Sequence, residues 1–428
     1  MNDGVSSGGS LAPTVLPGVL ALLAAAPRRL GDLELKISGI WDESSALKAG
    51  LIEKFPAKRA VYPEITSDAV LSDQHLFVGN PLFNCPDDSD SGSTQWHNPD
   101  LNAISSDYLP RCFYHSGSSG TEYLHRIDSF QGRPVIRFFR LGLRKNISGS
   151  GIRTLTACLL SQGVAHLDTV ESICFKDEVE LVSTSAILSS LPLDFYVRAQ
   201  HREELNPEFL KTLPLPELSP VLKVLLCART LCLNCLTIWY NGLWERQFKE
   251  EFRQQRWSRS SPGLREDFFT GLTTHWSPGC ALRRDLERRQ ALVEIDVITA
   301  KALGLKLGDL LSIYNSGFRE LKAFDQGNWY DQNGRMIYSG DCSKLKRGLP
   351  LDKKALSPGV VCSVNGLEQP EGLGFEDVKK LKTGEVKVSF DDCTLLDRPR
   401  RSICWKGPFF CCDMEEDYRR AWEFFPDP

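Results

Sequence analysis

The sequence predicts an α+β protein in three parts: a mixed strand-and-helix domain over residues 13–216, a mainly helical region over 217–325, and a small β-containing part over 326–428. Three observations predict it. The first part interleaves short strand-like runs (33–37, 154–160, 172–175) with helical patterns, whereas 221–303 carries two long helical patterns and no strand-like run between them. Near the end, Asn333-Gly334 sits between two strand-like flanks, the pattern of a β-hairpin. A length of 428 residues suits two to three domains, each large enough for its own core.

Residues 1–12 are rich in Gly and Ser and are expected to be disordered. Leu16, Leu20 and Leu23 lie about one turn apart, which predicts a helix over 13–26 that stops before Pro27. A strand over 33–37, a short helix over 44–51 and a strand over 75–80 follow. Residues 84–121 are dominated by Ser, Asp, Asn, Pro and Gly and read as a long loop insertion. Beyond the strands at 154–160 and 172–175, Leu188, Leu191, Phe195 and Ala199 predict one helix over 186–200, and a Pro-rich exit closes the domain at 216. The expected core of this module is Leu155, Leu159, Leu188, Leu191, Phe195 and Leu213. One long helix is expected over 221–252, a connection over 254–279, and a helix over 282–303 stopped by Gly304. A second short helix begins at Asp309. The Asn-Gly pair predicts a type I′ turn, which needs positive φ at both central residues, and 418–425 reads as a terminal aromatic helix.

With 42% hydrophobic and 25% charged residues and a net charge of −4, the chain is not one that coats nucleic acid by bulk charge, so any such contact must be focused. Fourteen cysteines over so long a chain, with no signal-peptide pattern before them, are expected to be reduced thiols in a cytoplasm. The apolar run 221–239 carries Lys223, Arg229 and Asn234, which suits a buried helix rather than a bilayer span.

The segment 126–153 changes the local charge. Arg126, Arg133, Arg137, Arg140, Arg144, Lys145 and Arg153 stand against Asp128 alone, with Phe130, Phe138 and Phe139 between them. Arginine makes bidentate phosphate and guanine contacts and aromatic rings stack on bases, so the combination suits a nucleic-acid surface. A solvated arginine face on an amphipathic strand fits the same residues.

Catalytic and metal patterns are weaker. Cys227, Cys232 and Cys235 have the spacing of a plant-type iron–sulfur run but lie in a helical pattern without the loop that wraps a cluster, so buried cysteines are expected. Cys404, Cys411 and Cys412 have no zinc spacing. Glu34-Leu-Lys36 lacks the further acid of a metal-dependent nuclease site. His75, His166 and His275 have no partner at motif spacing, and Glu294 and Asp296 point to different faces of a helix. There is no P-loop and no dinucleotide-binding glycine fingerprint. Asn80-Pro-Leu-Phe83 is one residue from Asn-Pro-Pro-Phe, the turn with which amino-methyltransferases hold a flipped adenine; a plain strand-end turn is the simpler reading.

Several stretches together resemble the C-terminal half of large bacterial adenine-specific DNA methyltransferases, the type IIG restriction-modification class and the PglX-like enzymes of BREX-type phage defence. They are Trp41-Asp-Glu-Ser-Ser-Ala-Leu-Lys-Ala-Gly-Leu-Ile52, His75-Leu-Phe-Val-Gly-Asn-Pro81, Tyr108-Leu-Pro-Arg111, Arg153-Thr-Leu-Thr-Ala157, Gly163-Val-Ala-His166 and Leu191-Pro-Leu-Asp-Phe-Tyr-Val197. Leu231-Cys-Leu-Asn-Cys-Leu-Thr237, Arg288-Arg-Gln-Ala-Leu-Val-Glu-Ile-Asp296, Trp329-Tyr-Asp-Gln-Asn-Gly-Arg335 and Tyr418-Arg-Arg-Ala-Trp422 complete the set, in an order that spans 18–425. The resemblance implies that 13–216 is a target-recognition domain and that the catalytic domain is a separate N-terminal unit. It implies double-stranded DNA as partner, a catalytic methyltransferase subunit as a second partner, and S-adenosylmethionine as cofactor of the whole enzyme, none of it bound by this chain. The DNA-contacting residues expected are Arg133, Arg137, Arg140, Arg144, Lys145, Arg153, His166, Arg198 and Arg202, with phosphate contacts from 126–153 and base readout from the loops 162–168 and 200–206. Two other readings stay open: a protein-binding adaptor of a phage-defence complex, and a complete methyltransferase with a cryptic site at Asn80.

Overall fold

A computed structural model describes residues 15–55, 62–86, 95–117, 121–340 and 348–428. Helix makes up 36% and strand 20%, in separate small sheets and a helical layer, which is an α+β fold. The expected disordered segment 1–12 lies outside the described residues.

The centre of the first part is an antiparallel sheet in the order Ala157–Leu160, Arg140–Arg144, Val170–Phe175, Leu35–Ser38. Arg140 lies opposite Leu160 on one side and Cys174 on the other. Strand side chains alternate between faces. Leu141, Leu143, Leu159 and Ile173 therefore share one face and enter the main core, where Leu155, Leu188, Leu191, Phe195 and Leu213 are also buried as expected. Arg140, Gly142 and Arg144 point to the opposite face. That face is covered too, by a second sheet in the order Ala165–His166, Ala69–Leu71, Tyr114–Ser116, Ile52–Lys54. Gly142 is required here, because a Cβ would sit 2.8 Å from the Leu160 side chain.

The expected helix over 186–200 is two helices, Glu178–Leu188 and Leu191–Arg198. Pro192 in the first turn of the second has no N–H to offer a preceding helix, and extended Ser190 separates the two, with Leu191 N at the new start donating to Asp296 Oδ1 at 2.6 Å. The long helix expected over 221–252 ends at Asn234. Buried Asn234 folds its amide back onto Thr230 O while its Oδ1 accepts from Leu159 N at 2.9 Å, and the chain turns into short helical pieces. Where a strand was expected over 75–80, a helical turn Asp73–His75 precedes a tight turn at Gly79, whose φ is +61°.

Helix Asp285–Ala302 runs through the middle of the molecule, packed by Pro220–Asn234, Leu191–Arg198 and the terminal helix Met414–Phe424. One continuous core reaches from Val19 to Phe425. Charges on the central helix are neutralised inside it: Glu294 pairs with Arg229 at 2.6 Å, both fully buried, and Glu287 with Arg265 at 2.7 Å. Residues 361–406 form a four-stranded sheet with its own core around Trp405 and Phe375.

The hairpin Trp329–Tyr330 to Met336–Tyr338 is present, but its turn is not type I′. Gly334 alone has positive φ (+74°), Gly334 N donates to Asp331 O at 3.0 Å, and Asp331 N to Arg335 O at 2.9 Å. These are the bonds of a type I turn closed by a glycine bulge. The Asp331 carboxylate selects it by accepting from Asn333 N and Arg335 N.

Candidate nucleic-acid interface

Two residues with positive φ, Gln131 (+49°) and Gly132 (+72°), make a two-residue turn between Ser129–Phe130 and Arg133–Pro134. Positive φ at both central residues is type I′ geometry, found also at Asn365-Gly366 between Val361–Val364 and Leu367–Glu368. The hairpin and the helical turn Val135–Arg137 after it stand outside the central sheet. Arg126, Arg133 and Arg137 are exposed, and the Arg133 guanidinium lies 4.4 Å from the Phe138 ring centroid. Neither Arg133 nor Arg137 has an acidic partner among the described residues.

Arg133 and Arg137 wall a groove of about 590 Å³ together with Gln131, Gln162, Gln247 and Arg246. Gln162 is held by a bond from its Nε2 to Arg137 O at 2.9 Å. The facing wall is the start of helix Glu178–Leu188, where Asp177 caps Val179 N and Glu178 takes Arg246 in a two-pronged pair at 2.8 and 2.7 Å. The free cationic surface of the groove is thus the Arg133 and Arg137 wall, and amide side chains stand beside it. Gln131, Gln247 and Arg246 are additions to the expected set. Gln131-Gly132 between two strand-like residues was the available signal; Arg246 and Gln247 come from a distant helix and had none.

The other expected residues lie elsewhere. Arg140 is fully buried: it donates to Ser172 Oγ at 3.2 Å and to Val164 O, and burial lowers its pKa. Its assignment to DNA is corrected, because the second sheet covers the face onto which strand alternation directs it. His166 is also fully buried, bonded through Nε2 to Ser172 Oγ at 2.7 Å and through Nδ1 to Leu167 O at 2.9 Å. Burial, reinforced by Arg140, lowers its pKa to about 3, so it is a neutral core imidazole. Arg153 is an interior ion-pair partner, 2.8 Å from Asp194 Oδ2 with 6% of its side chain exposed. Burial pushes the Asp194 carboxyl up while Arg153 and the N–H groups of Leu155 and Thr154 pull it down. Arg198 ties three chain segments, donating to Thr154 Oγ1, Gly317 O and Gly151 O at 2.6–2.9 Å.

Arg144, Lys145 and Arg202 stay nearer the surface. Arg144 is largely enclosed beside the Phe83 ring, Lys145 is half-buried, and Arg202 is exposed over the Phe209 ring. The two expected readout loops do not converge. Gln162 follows the strand end that pairs with Arg140, whereas the 200–206 loop joins the Arg144 end through Asn146 and Glu204. A strand of that length separates them by roughly 14 Å. Of loop 162–168 only Gln162 is exposed.

Residues that sequence patterns offered for catalysis or metal are engaged otherwise. Asn80 is buried and its Oδ1 accepts from Leu82 N at 3.0 Å, capping its own turn. Glu34 pairs with Lys176 and Lys36 with Asp128 at the surface. Cys227, Cys232 and Cys235 are buried thiols with raised pKa values. Among the described residues no group of histidines, cysteines and acids is placed to hold a metal ion, and no helix is long and apolar enough to cross a membrane. Comparison with protein-family models and with curated proteins finds no match to this chain.

Proposed function

We propose that this chain is the DNA target-recognition part of an adenine-specific DNA methyltransferase of restriction-modification or phage-defence type. It works in the cytoplasm beside a catalytic subunit that carries S-adenosylmethionine. The observation that carries this reading is the groove whose wall presents Arg133 and Arg137 without acidic partners among the described residues, with Gln131 and Gln162 alongside. Arginine heads neutralise phosphates, and carboxamides read base edges. The ordered resemblance over 18–425 gives the direction; the groove supplies the chemistry. A focused patch of this kind reconciles DNA binding with a net charge of −4.

The revised contact set is Arg126, Arg133, Arg137, Gln131 and Gln162. Fluorescence anisotropy with a duplex oligonucleotide, titrated at several salt concentrations, tests it. Arg133→Ala with Arg137→Ala should weaken binding and make the dependence on log salt shallower by about two, one for each phosphate that is no longer neutralised. Unchanged affinity over the whole salt range would overturn the reading.

A further inference from the structure

The face of helix Asp285–Ala302 that meets the hairpin of Trp329–Tyr330 and Met336–Tyr338 leaves a cavity of about 170 Å³. Asp285, Arg288, Arg289, Leu292, Val293 and Asp296 line it, at the i, i+3, i+4, i+7, i+8 and i+11 positions that share one helical face. Leu292 is the only residue between Gln290 and Lys301 that is not buried, because it forms the rim with Leu321 and Phe324. The stacked pair Phe77 and Phe83, with ring centroids 4.6 Å apart, also lines it.

The charged groups of this lining are already engaged. Arg289 holds Asp325 at 2.6 Å and Asp417 at 2.5 Å. Asp296 accepts from Leu191 N at 2.6 Å and from Tyr418 Oη at 2.8 Å. Arg288 donates to the carbonyls of Leu233, Leu282 and Gly79. Asp285 accepts from Met336 N. Two neutral groups remain. Asn328 is 1% exposed and its Oδ1 has no hydrogen-bond partner among the described residues. Tyr330 is also 1% exposed, with no hydroxyl bond among the described residues. They are two apart at the start of an extended strand, so both face the cavity while Trp329 turns away onto Phe375. A half-turn about χ2 presents either the oxygen or the nitrogen of the Asn328 carboxamide.

We propose that this cavity is a binding site for a small neutral heteroaromatic ring carrying an amide-type edge, a donor beside an acceptor, which pairs with the Asn328 carboxamide and lies among Phe77, Phe324 and Leu292. Apolar cavities of about 150 Å³ admit a benzene ring, so one or two fused rings fill this one. Charged ligands are disfavoured because the charged groups around it are already engaged by protein partners. Asn80 takes no part, its side chain being bonded within its own turn. The site lies apart from the Arg133 and Arg137 groove and does not depend on DNA binding.

Binding of free uracil, guanine and nicotinamide to the full chain, measured by calorimetry and by thermal shift, tests the proposal, with benzene, benzamidine and benzoate as apolar, cationic and anionic controls. At least one amide-edged probe should bind saturably and tighter than all three controls. Asn328→Leu, which keeps the volume and removes the pairing groups, should weaken that probe at least about tenfold without lowering the melting temperature of the unliganded protein. Leu292→Trp, at the rim, should block every probe. Absence of saturable binding by all amide-edged probes overturns the site. So does benzene binding as tightly as they do, or equal affinity in Asn328→Leu. None of these results bears on the DNA-binding reading, which rests on other residues.

Discussion

Two arginine-bearing stretches only a few residues apart meet opposite fates. The hairpin and turn at 129–137 hold Arg133 and Arg137 out in solvent beside a groove. The strand Arg140–Arg144 holds Arg140 at zero exposure between two sheets. The residue types are the same, and what separates them is coverage. One face of the strand packs on the helical core, and the other is roofed by strands drawn from 52–54, 69–71, 114–116 and 165–166. An arginine-rich sequence therefore encodes both an interior scaffold and an outer surface, and only the outer one is available to a polyanion. Substitutions in the inner set should cost stability, and those in the outer set should cost binding.

The largest effect is expected at Arg153. Truncation to alanine leaves the Asp194 carboxylate buried without its counter-charge, a loss on the order of 3–5 kcal/mol. A denaturant titration in which Arg153→Ala unfolds within about 0.5 kcal/mol of the native chain would place Arg153 in the outer set instead.

Arg140→Leu should cost less, about 1–3 kcal/mol, because it leaves Val164 O and Ser172 Oγ short of a donor but strands no opposite charge. Affinity for DNA per folded molecule should not change, whereas a specific loss of binding would return Arg140 to the surface set.

His166 sharpens the comparison through pH. Its folded pKa, about 3, lies below the ordinary value near 6.5, so the unfolded chain takes up the proton first. The stability due to its neutral form is present above pH 6.5 and lost as pH falls toward 3, by up to about 1.4 kcal/mol per pH unit. Glu171, raised to about 7, and Asp296, raised to about 6, both by burial, act in the opposite sense. Their contribution is present at low pH and lost as pH rises through those values. Comparing His166→Gln with the native chain isolates the histidine. The variant should be less stable at neutral pH but lose less on acidification from 6.5 to 4, and parallel curves would contradict the buried neutral imidazole.

The sequence made the large features legible for physical reasons. The strand-like run placed Leu155 and Leu159 in a core, and helical periodicity found the central helix to within a few residues of Asp285–Ala302. The broad pattern misled where a single residue within the segment decided the outcome. Pro192 broke a helix whose apolar stripe ran straight through it, and the Asp331 carboxylate changed the turn at Asn333-Gly334. Within the basic segment, alternation gave the side to which Arg140 points but not what lies there, since its cover comes from residues 24 to 88 positions distant. The Arg133 and Arg137 wall was legible from charge; the Arg246 and Gln247 wall, folded in from a distant helix, was not.

The smallest structural effect belongs to the pair that matters most for function. Arg133→Ala with Arg137→Ala should leave unfolding within about 0.5 kcal/mol of the native chain, as exposed substitutions do. The direct test is the DNA-binding isotherm of this double variant beside Arg140→Leu, each across a salt titration. The outer double variant should bind more weakly with a shallower salt dependence while folded Arg140→Leu matches the native chain; the reverse pattern, or no binding difference among the three, would contradict the account.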